Sequence, residues 1–279
     1  MKTAARSLLF FLSLCVACAA IAQTPDEKLT AAFRDTLAAA KQGNAESQNA
    51  LGELYANGRG VLRNDAQAVV WFRKAAEQGN TMGQFNLGWM YVSGRGVERD
   101  DAQAVIWLRK AADKGDVDAQ YSLGMMYVSG RAGERDAAQA AIWLRKAADQ
   151  DKADAQFVLG VLYANGQGVK QDDAQAVAWW RKAADQGFPA AQNNLGVVYK
   201  NGRGVKQDDA QAVAWFRKAA EQDNAEAMAN LGWMYGSGRG VAKDEAQAVA
   251  WMRKAANLGN ADAKQVLDKI GQSAGGQSK

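Results

Sequence analysis

The chain of 279 residues contains no histidine. That removes the commonest general base and the commonest metal ligand available near neutral pH. Its two cysteines, Cys15 and Cys18, both lie close to the amino terminus, so nothing after Cys18 can form a disulfide, a thiolate metal site or a cysteine nucleophile. Ser–His–Asp and Cys–His arrangements are excluded on the same grounds. The phosphate-loop pairs Gly-Lys-Ser and Gly-Lys-Thr do not occur. A dinucleotide fingerprint needs a third glycine and a preceding strand, and the stretch Gly94-Arg95-Gly96-Val97-Glu98-Arg99 has neither. Carboxylates are plentiful but recur in fixed pairs, Asp100-Asp101, Asp172-Asp173 and Asp208-Asp209, where helix caps and solvated turns account for them. We therefore expect a non-enzyme with no catalytic residue, no metal and no cofactor.

The chain also lacks an apolar run long enough for a membrane helix. A transmembrane span needs about 20 apolar residues. The stretch Leu8 to Ala22 offers fifteen and contains Ser13. With Lys2 and Arg6 ahead of it and the small-x-small sequence Ala20-Ile21-Ala22 at its end, it reads as a cleaved signal peptide over residues 1–22. The mature chain then starts at Gln23 and is exported, to the periplasm first and to the surface or medium second. A competing lipoprotein site is Cys18, preceded by Val16 and Ala17, although Cys15 stands where an aliphatic residue is usual. Without Lys2 and Arg6 the chain has 32 basic and 30 acidic residues. That balance argues for neither nucleic acid nor an anionic membrane as partner, and no stable membrane insertion is expected after cleavage.

What is present is a period. Leu-Gly occurs at 51–52, 87–88, 123–124, 159–160, 195–196 and 231–232, and Trp at 71, 107, 143, 179, 215 and 251, each series stepping by 36. A fixed period of this size signals stacked repeats rather than one globular core. Six units span 44–259. Each reads as a first helix such as "AESQNALGELYAN" and a second such as "DAQAVVWFRKAAEQG", joined by a Gly-x-Gly turn. Asp65 and its equivalents are placed to cap the second helix. No segment alternates with the period of a strand, so the fold class is all-α. The segment 23–43, starting with the capping box Thr24-Pro25-Asp26-Glu27, is an amino-terminal capping helix. Residues 260–270 form a carboxy-terminal capping helix, and 271–279 is a disordered tail.

The pattern AQ…LG…Y…GxGV…D…A…W…RKAA…G resembles the Sel-one-like repeat family, relatives of the tetratricopeptide repeats, over residues 44–270. The resemblance implies a right-handed superhelical α-solenoid of helix-turn-helix repeats that serves as an adaptor in protein assembly or signalling. Some members have been described as binding or hydrolysing β-lactams, but the Ser-x-x-Lys of a penicillin-recognising acylase is absent here. The third unit departs from the pattern, with Ala132 and Gly133 where Gly and Val are expected. Asp151 and Asp223 stand where other copies close with Gly.

The period also sorts the residues. The six tryptophans read as packing, each burying on the order of 150–250 Å². A glycine inside a helix costs about 1 kcal/mol relative to alanine. Six repetitions of that cost imply a neighbouring helix too close for a Cβ. Arg59, Arg95, Arg131, Arg203 and Arg239 form a ladder on one edge, either solvated or open to an anionic partner. On the first helix, the near-constant positions cluster on one side and the variable ones on the other. The variable side is apolar in the middle units: Met82, Phe85, Trp89 and Val92, then Tyr121 and Met125, then Phe157, with Trp233 in the last unit. In solenoids of this type the first helix lines the concave groove, and an apolar, aromatic stripe there suits a peptide or helix. The same residues could instead be packing between successive first helices. We expect an adaptor that binds a protein or peptide partner of unknown identity in that groove, for envelope signalling or assembly. A secreted host-interaction factor and a glycan- or peptidoglycan-binding protein are the competing functions. Oligomeric state is left open.

Overall fold

The computed structural model describes residues 25–276. The signal-peptide and Cys18 expectations lie outside those residues. Fourteen helices are described, and no strand among them. The first, α1 (Pro25–Lys41), is followed by six helix pairs. These are α2 (Ala45–Asn57) with α3 (Asp65–Glu77), α4 (Thr81–Ser93) with α5 (Asp101–Asp113), and α6 (Val117–Ser129) with α7 (Ala137–Asp149). After them come α8 (Ala153–Asn165) with α9 (Asp173–Asp185), α10 (Pro189–Asn201) with α11 (Asp209–Ala220), and α12 (Ala225–Ser237) with α13 (Glu245–Asn257). The last, α14 (Ala261–Gly276), runs six residues past the end expected at 270. Every helix packs on the next, which is an α-solenoid.

The elements form for local reasons. Each first helix ends on a left-handed glycine, such as Gly58 at φ 68°. Each second helix is capped by the residue just before it. Asn64, Asp100, Asp136, Asp172, Asp208 and Asp244 accept the backbone N–H three residues on. Asp65 is therefore the first helical residue and not the cap, which frees its carboxylate for another task.

That task is to join the repeats. Arg95 Nε and Nη2 donate to the Asp65 carboxylate of the preceding repeat at 3.0 and 2.6 Å, and Nη2 also donates to Ala56 O at 3.2 Å. Arg131 holds Asp101, Arg203 holds Asp173 and Arg239 holds Asp209 in the same way. Four of the five members of the arginine ladder clasp repeats together while their side chains stay partly in solvent. The bidentate guanidinium–carboxylate geometry suits that use.

In five of the six Leu-Gly pairs the atom nearest the glycine belongs to a side chain of the partner helix; at Gly232 the Ala248 carbonyl comes as near as Met252, at 3.1 Å. A Cβ on Gly52 would lie 2.5 Å from the Phe72 ring, one on Gly160 2.5 Å from Trp180, and one on Gly196 2.4 Å from Phe216. The repeated cost of glycine is thus repaid by a large residue of the partner helix sitting flat against the first helix. The second turn glycine has a different reason. A Cβ on Gly204 would stand 2.4 Å from Asp173 O of the preceding repeat. In the third repeat this place holds Ala132, and the turn is rebuilt with its second left-handed glycine one position later, at Gly133.

The period tryptophans reach backwards. Trp143, Trp179 and Trp215 are buried in clusters built mainly from the repeat before their own. The lysine three residues on lies over each of the six rings, at 3.9–4.3 Å. Arg109, Arg145 and Arg181 from the preceding repeat approach Trp143, Trp179 and Trp215 at 5.5–5.8 Å. Those same arginines donate to the tyrosine hydroxyls of the next first helix, Tyr127, Tyr163 and Tyr199.

Candidate functional site

Which side of each first helix is free depends on how the helix is rolled, and a buried glutamine fixes the roll. Gln48, Gln84, Gln120, Gln156 and Gln192 donate to backbone carbonyls at the end of the preceding helix (α1 for Gln48, a second helix for the others), at 3.1–3.2 Å. Four of these glutamines also accept from a glutamine thirty residues later, Gln78, Gln150, Gln186 or Gln222. The exception is Gln84, because Lys114 occupies that place and donates to Gly79 O instead. With the roll fixed, the Leu-Gly side faces the partner helix and the variable side faces outward.

The eight residues singled out by the period divide into two groups there. Met82, Trp89 and Trp233 are exposed, at 47, 41 and 44 %. Phe85 and Val92 are half-buried against the core of the second and third repeats. Tyr121 and Met125 pack on the next cluster along. Phe157 packs on the one after, with its ring 5.2 Å from Phe188. These five are half-buried, with part of each side chain packed on the core and part left at the surface. The apolar face therefore presents exposed Met82 and two exposed indoles, Trp89 and Trp233, four repeats apart, with a floor of half-buried side chains between them.

The ends of the floor are polar. Asn86 donates to Asn49 at 2.9 Å, and Asn230 donates to Asn193 at 3.1 Å, each bond crossing from one first helix to the next. Both acceptor asparagines are buried, so these bonds fix the spacing of the helices on which the face is displayed.

Each exposed indole is backed by cations. The Arg95 guanidinium lies 5.2 Å from the Trp89 ring. Arg239 and the Lys200 Nζ each lie 5.3 Å from the Trp233 ring. The clasp arginines thus do double duty, holding the repeats together and holding the two rings in place, a contact worth about 0.5–1 kcal/mol at exposed sites. Burial, followed by the neighbouring charge of Arg239, lowers the Lys200 ammonium below the usual lysine range. In the middle of the face, a hydrogen bond to Asp118 raises Lys152, and burial raises the Tyr121 phenol.

Two features escaped the sequence reading. Val70, Ile106 and Ile142 stand exposed at 44–48 % on the outer side of the second helices. Their signal was present, a β-branched residue at the step of 36 where later copies have Ala178, Ala214 and Ala250. The other is a cleft of about 510 Å³ at the end of the array, between α12, α13 and α14, walled on one side by Trp233. Among the described residues no group of carboxylates is placed to hold a metal ion. No described helix is long and apolar enough to cross a membrane.

A model of the Sel1 repeat matches six consecutive segments: 45–80, 81–116, 117–152, 153–188, 189–224 and 225–260. The frames are those read from the tryptophan step, displaced by one residue. Among solved structures, the chain is similar to a protective antigen of uropathogenic Escherichia coli strains that displays an SLR fold. The two share 39 % identity at a TM-score of 0.81 over 85 % of this chain. The chain spans about half the length of that antigen, 51 %. A Sel1 repeat protein of Oxalobacter formigenes is 33 % identical at a TM-score of 0.71, over 82 % of this chain and 91 % of the other. No protein of curated function matches.

Proposed function

Because the chain belongs to the Sel1 repeat family, a scaffold that commonly mediates contact between proteins, we propose that it is an exported, non-enzymatic adaptor that binds a protein or peptide partner on the outward face of its first helices. One observation carries the reading. Trp89 and Trp233 are held half in solvent by stacked arginines, in a chain that buries four of its six period tryptophans. Rigid, partly exposed aromatics on a polar-ended floor are the kind of residues that dominate binding energy at interfaces. The family's typical members are scaffolds without catalysis, and the missing histidine agrees with that for this chain.

Export is supported by the sequence of residues 1–22 and by the similar antigen. A protein described as a protective antigen is one that an immune response can act upon. The periplasm is the first location and the cell surface or medium the second. Fractionation followed by amino-terminal sequencing tests this, with a mature start at Gln23 as the expected result. A full-length chain confined to the cytoplasm would refute it, and lipid attached at Cys18 would move the anchor to the membrane.

For the binding face, the test compares partner recovery from envelope extracts by the wild type, by Trp89→Ala with Trp233→Ala, and by Ile106→Ala with Ile142→Ala. Recovery should fall for the first pair and persist for the second. If the second pair loses the partner instead, binding belongs to the outer side of the second helices.

A further inference from the structure

We infer that the carboxy-terminal end of this face recognises an extended peptide carrying a carboxylate next to a large apolar side chain. The inference rests on the adaptor reading and specifies what one part of the face accepts.

Lys200 occupies a place that is small or apolar in every other copy: Ala56, Val92, Val128, Ala164 and Gly236. It is half-buried, and its Nζ meets only Asn230 Oδ1, at 3.5 Å, and the face of Trp233. The carboxylates nearby are already engaged. Asp209 is held by Arg239 at 2.6 Å, and Glu226 accepts from Asn193 at 3.3 Å. Another cation, Arg239, donates to the backbone carbonyl of Lys200 itself. A half-buried ammonium beside a guanidinium, with no ion pair of its own, is complemented by an incoming carboxylate.

Trp233 also walls the cleft of about 510 Å³. The last repeat differs from the others at two places beside the cleft. Gly236, without a side chain, stands where earlier copies have Ala56, Val92, Val128, Ala164 and Lys200. Met252 replaces the Phe, Leu or Trp that elsewhere presses on the Leu-Gly glycine. A Cβ on Gly232 would meet Met252 at 3.1 Å, against 2.4–2.8 Å in the other five repeats. Val249 and Val266 complete an apolar lining, and Glu245 at the rim is paired with Lys243 at 2.9 Å. The volume lies within the range of small-ligand pockets. One indole therefore has a cation over its ring and also walls an apolar pocket. A ligand that uses both must offer an acid and an apolar group on either side of that one ring, as neighbouring side chains of an extended peptide do.

The test uses the full mature chain and two blocked peptides, acetyl-Gly-Asp-Leu-Phe-Gly-amide and its twin with Asn for Asp. Binding is read from the indole N–H resonance of Trp233, assigned with Trp233→Phe. The acidic peptide should shift that resonance and bind about tenfold more tightly than its twin, the scale of one charge-assisted hydrogen bond. Lys200→Gln should bring the two peptides to equal affinity, and Lys200→Arg should restore the preference. Gly236→Val, which fills the cleft, should weaken both peptides alike. Equal affinities on the wild type, a preference that survives Lys200→Gln, or a silent Trp233 would overturn the site. So would laurate shifting Trp233 when neither peptide does, because the occupant would then be a fatty acid. A peptide that moves the Trp89 indole but not that of Trp233 overturns this site and leaves the adaptor reading standing.

Discussion

The junction between the third and fourth repeats differs from the four other junctions between repeats. Those four each carry an arginine clasp. At the remaining junction the arginine is Gln167 and its carboxylate partner is Ala137, so both members of the pair are absent together. The fourth repeat also starts on Lys152, and α8 therefore has no side-chain cap. Lys152 reaches back to Asp118 at 2.7 Å, so an ion pair on the first-helix side replaces one on the turn side. A lost cap costs about 1 kcal/mol, and a surface ion pair returns between about 0 and 1 kcal/mol. Without the clasp, this junction keeps the apolar packing around Trp179 and Leu144 together with the Arg145–Tyr163 and Gln156–Ala148 hydrogen bonds that the other junctions also have. The lesson is that the clasp behaves as one unit, and that the array tolerates its loss where the tryptophan knob is kept.

The strongest way to break the comparison is to remove that knob. Trp179→Ala and Trp215→Ala should each cost about 3–5 kcal/mol. Only Trp179→Ala acts at an unclasped junction, so only it should uncouple the two halves of the array, as expected when stability is a sum of nearest-neighbour terms. Urea unfolding followed by hydrogen exchange would show two transitions for Trp179→Ala and one for Trp215→Ala. A single transition in both would mean that the clasp has no part in cooperativity.

Next in size is the turn glycine. Gly204→Ala places a Cβ on the Asp173 carbonyl at φ 70° and should cost about 2–3 kcal/mol. The third repeat already holds Ala132 at this position on a rebuilt turn, so Ala132→Gly should change stability by less than about 0.5 kcal/mol. Thermal unfolding of the two variants decides whether docking of the turn or backbone freedom is the larger part.

Most of this architecture was legible from the period. The tryptophan step and the Leu-Gly series locate the helices and the frames, because a stacked unit must repeat its packing residues. The roles of side chains that cross between repeats were harder to see. Asp65 and Arg95 lie thirty residues apart, and neither looks unusual within its own repeat. Asp65 was read as a cap because it opens the helix, whereas Asn64 caps it and Asp65 reaches across. The candidate face was legible as a set but not in its exposure. Phe85 and Trp89 are both large aromatics on the variable side of one helix. One is half-buried and the other exposed, because Phe85 packs against the core of the neighbouring repeats while Trp89 does not. Lys200 gains meaning only through the residues that surround it in the fold, Asn230, Trp233 and Arg239.

The clasp itself gives a smaller, sharper test. Copying the bare junction into a clasped one, Arg203→Gln with Asp173→Ala, should cost about 1 kcal/mol at most, with the double change costing less than the sum of the singles. Gln167→Arg with Ala137→Asp should return a similar amount at the bare junction, and neither change should do so alone. Acid provides a second reading. Arg95, and then Arg63, hold the Asp65 carboxyl far below the usual carboxylate range, and Arg131 with Arg99 does the same for Asp101. A depressed folded-state pKa contributes stability above the unfolded value near 4 and loses it as pH falls below that. Wild-type stability should therefore fall below about pH 4, with Arg131→Gln falling less steeply. Urea midpoints measured from neutral to acidic pH would detect this, and identical slopes would remove the clasp from the acid response.

The smallest effect concerns the two aspartates that stand where other repeats close on glycine. Asp151 and Asp223 take φ 61° and 59°, a left-handed conformation that the glycines of the same place adopt at 84–94°. Replacing either with glycine should stabilise the chain by about 0.5–1 kcal/mol. The two should differ, because Asp151 Oδ1 accepts from the Gln156 amide at 3.3 Å. Asp151→Gly gives up that bond beside the bare junction, so its gain should be the lesser of the two. Denaturant midpoints for both variants settle the point. If neither gains, left-handed strain is not what these positions cost. If Asp151→Gly gains more, the Gln156 bond contributes nothing, and the bare junction is weaker than its packing implies.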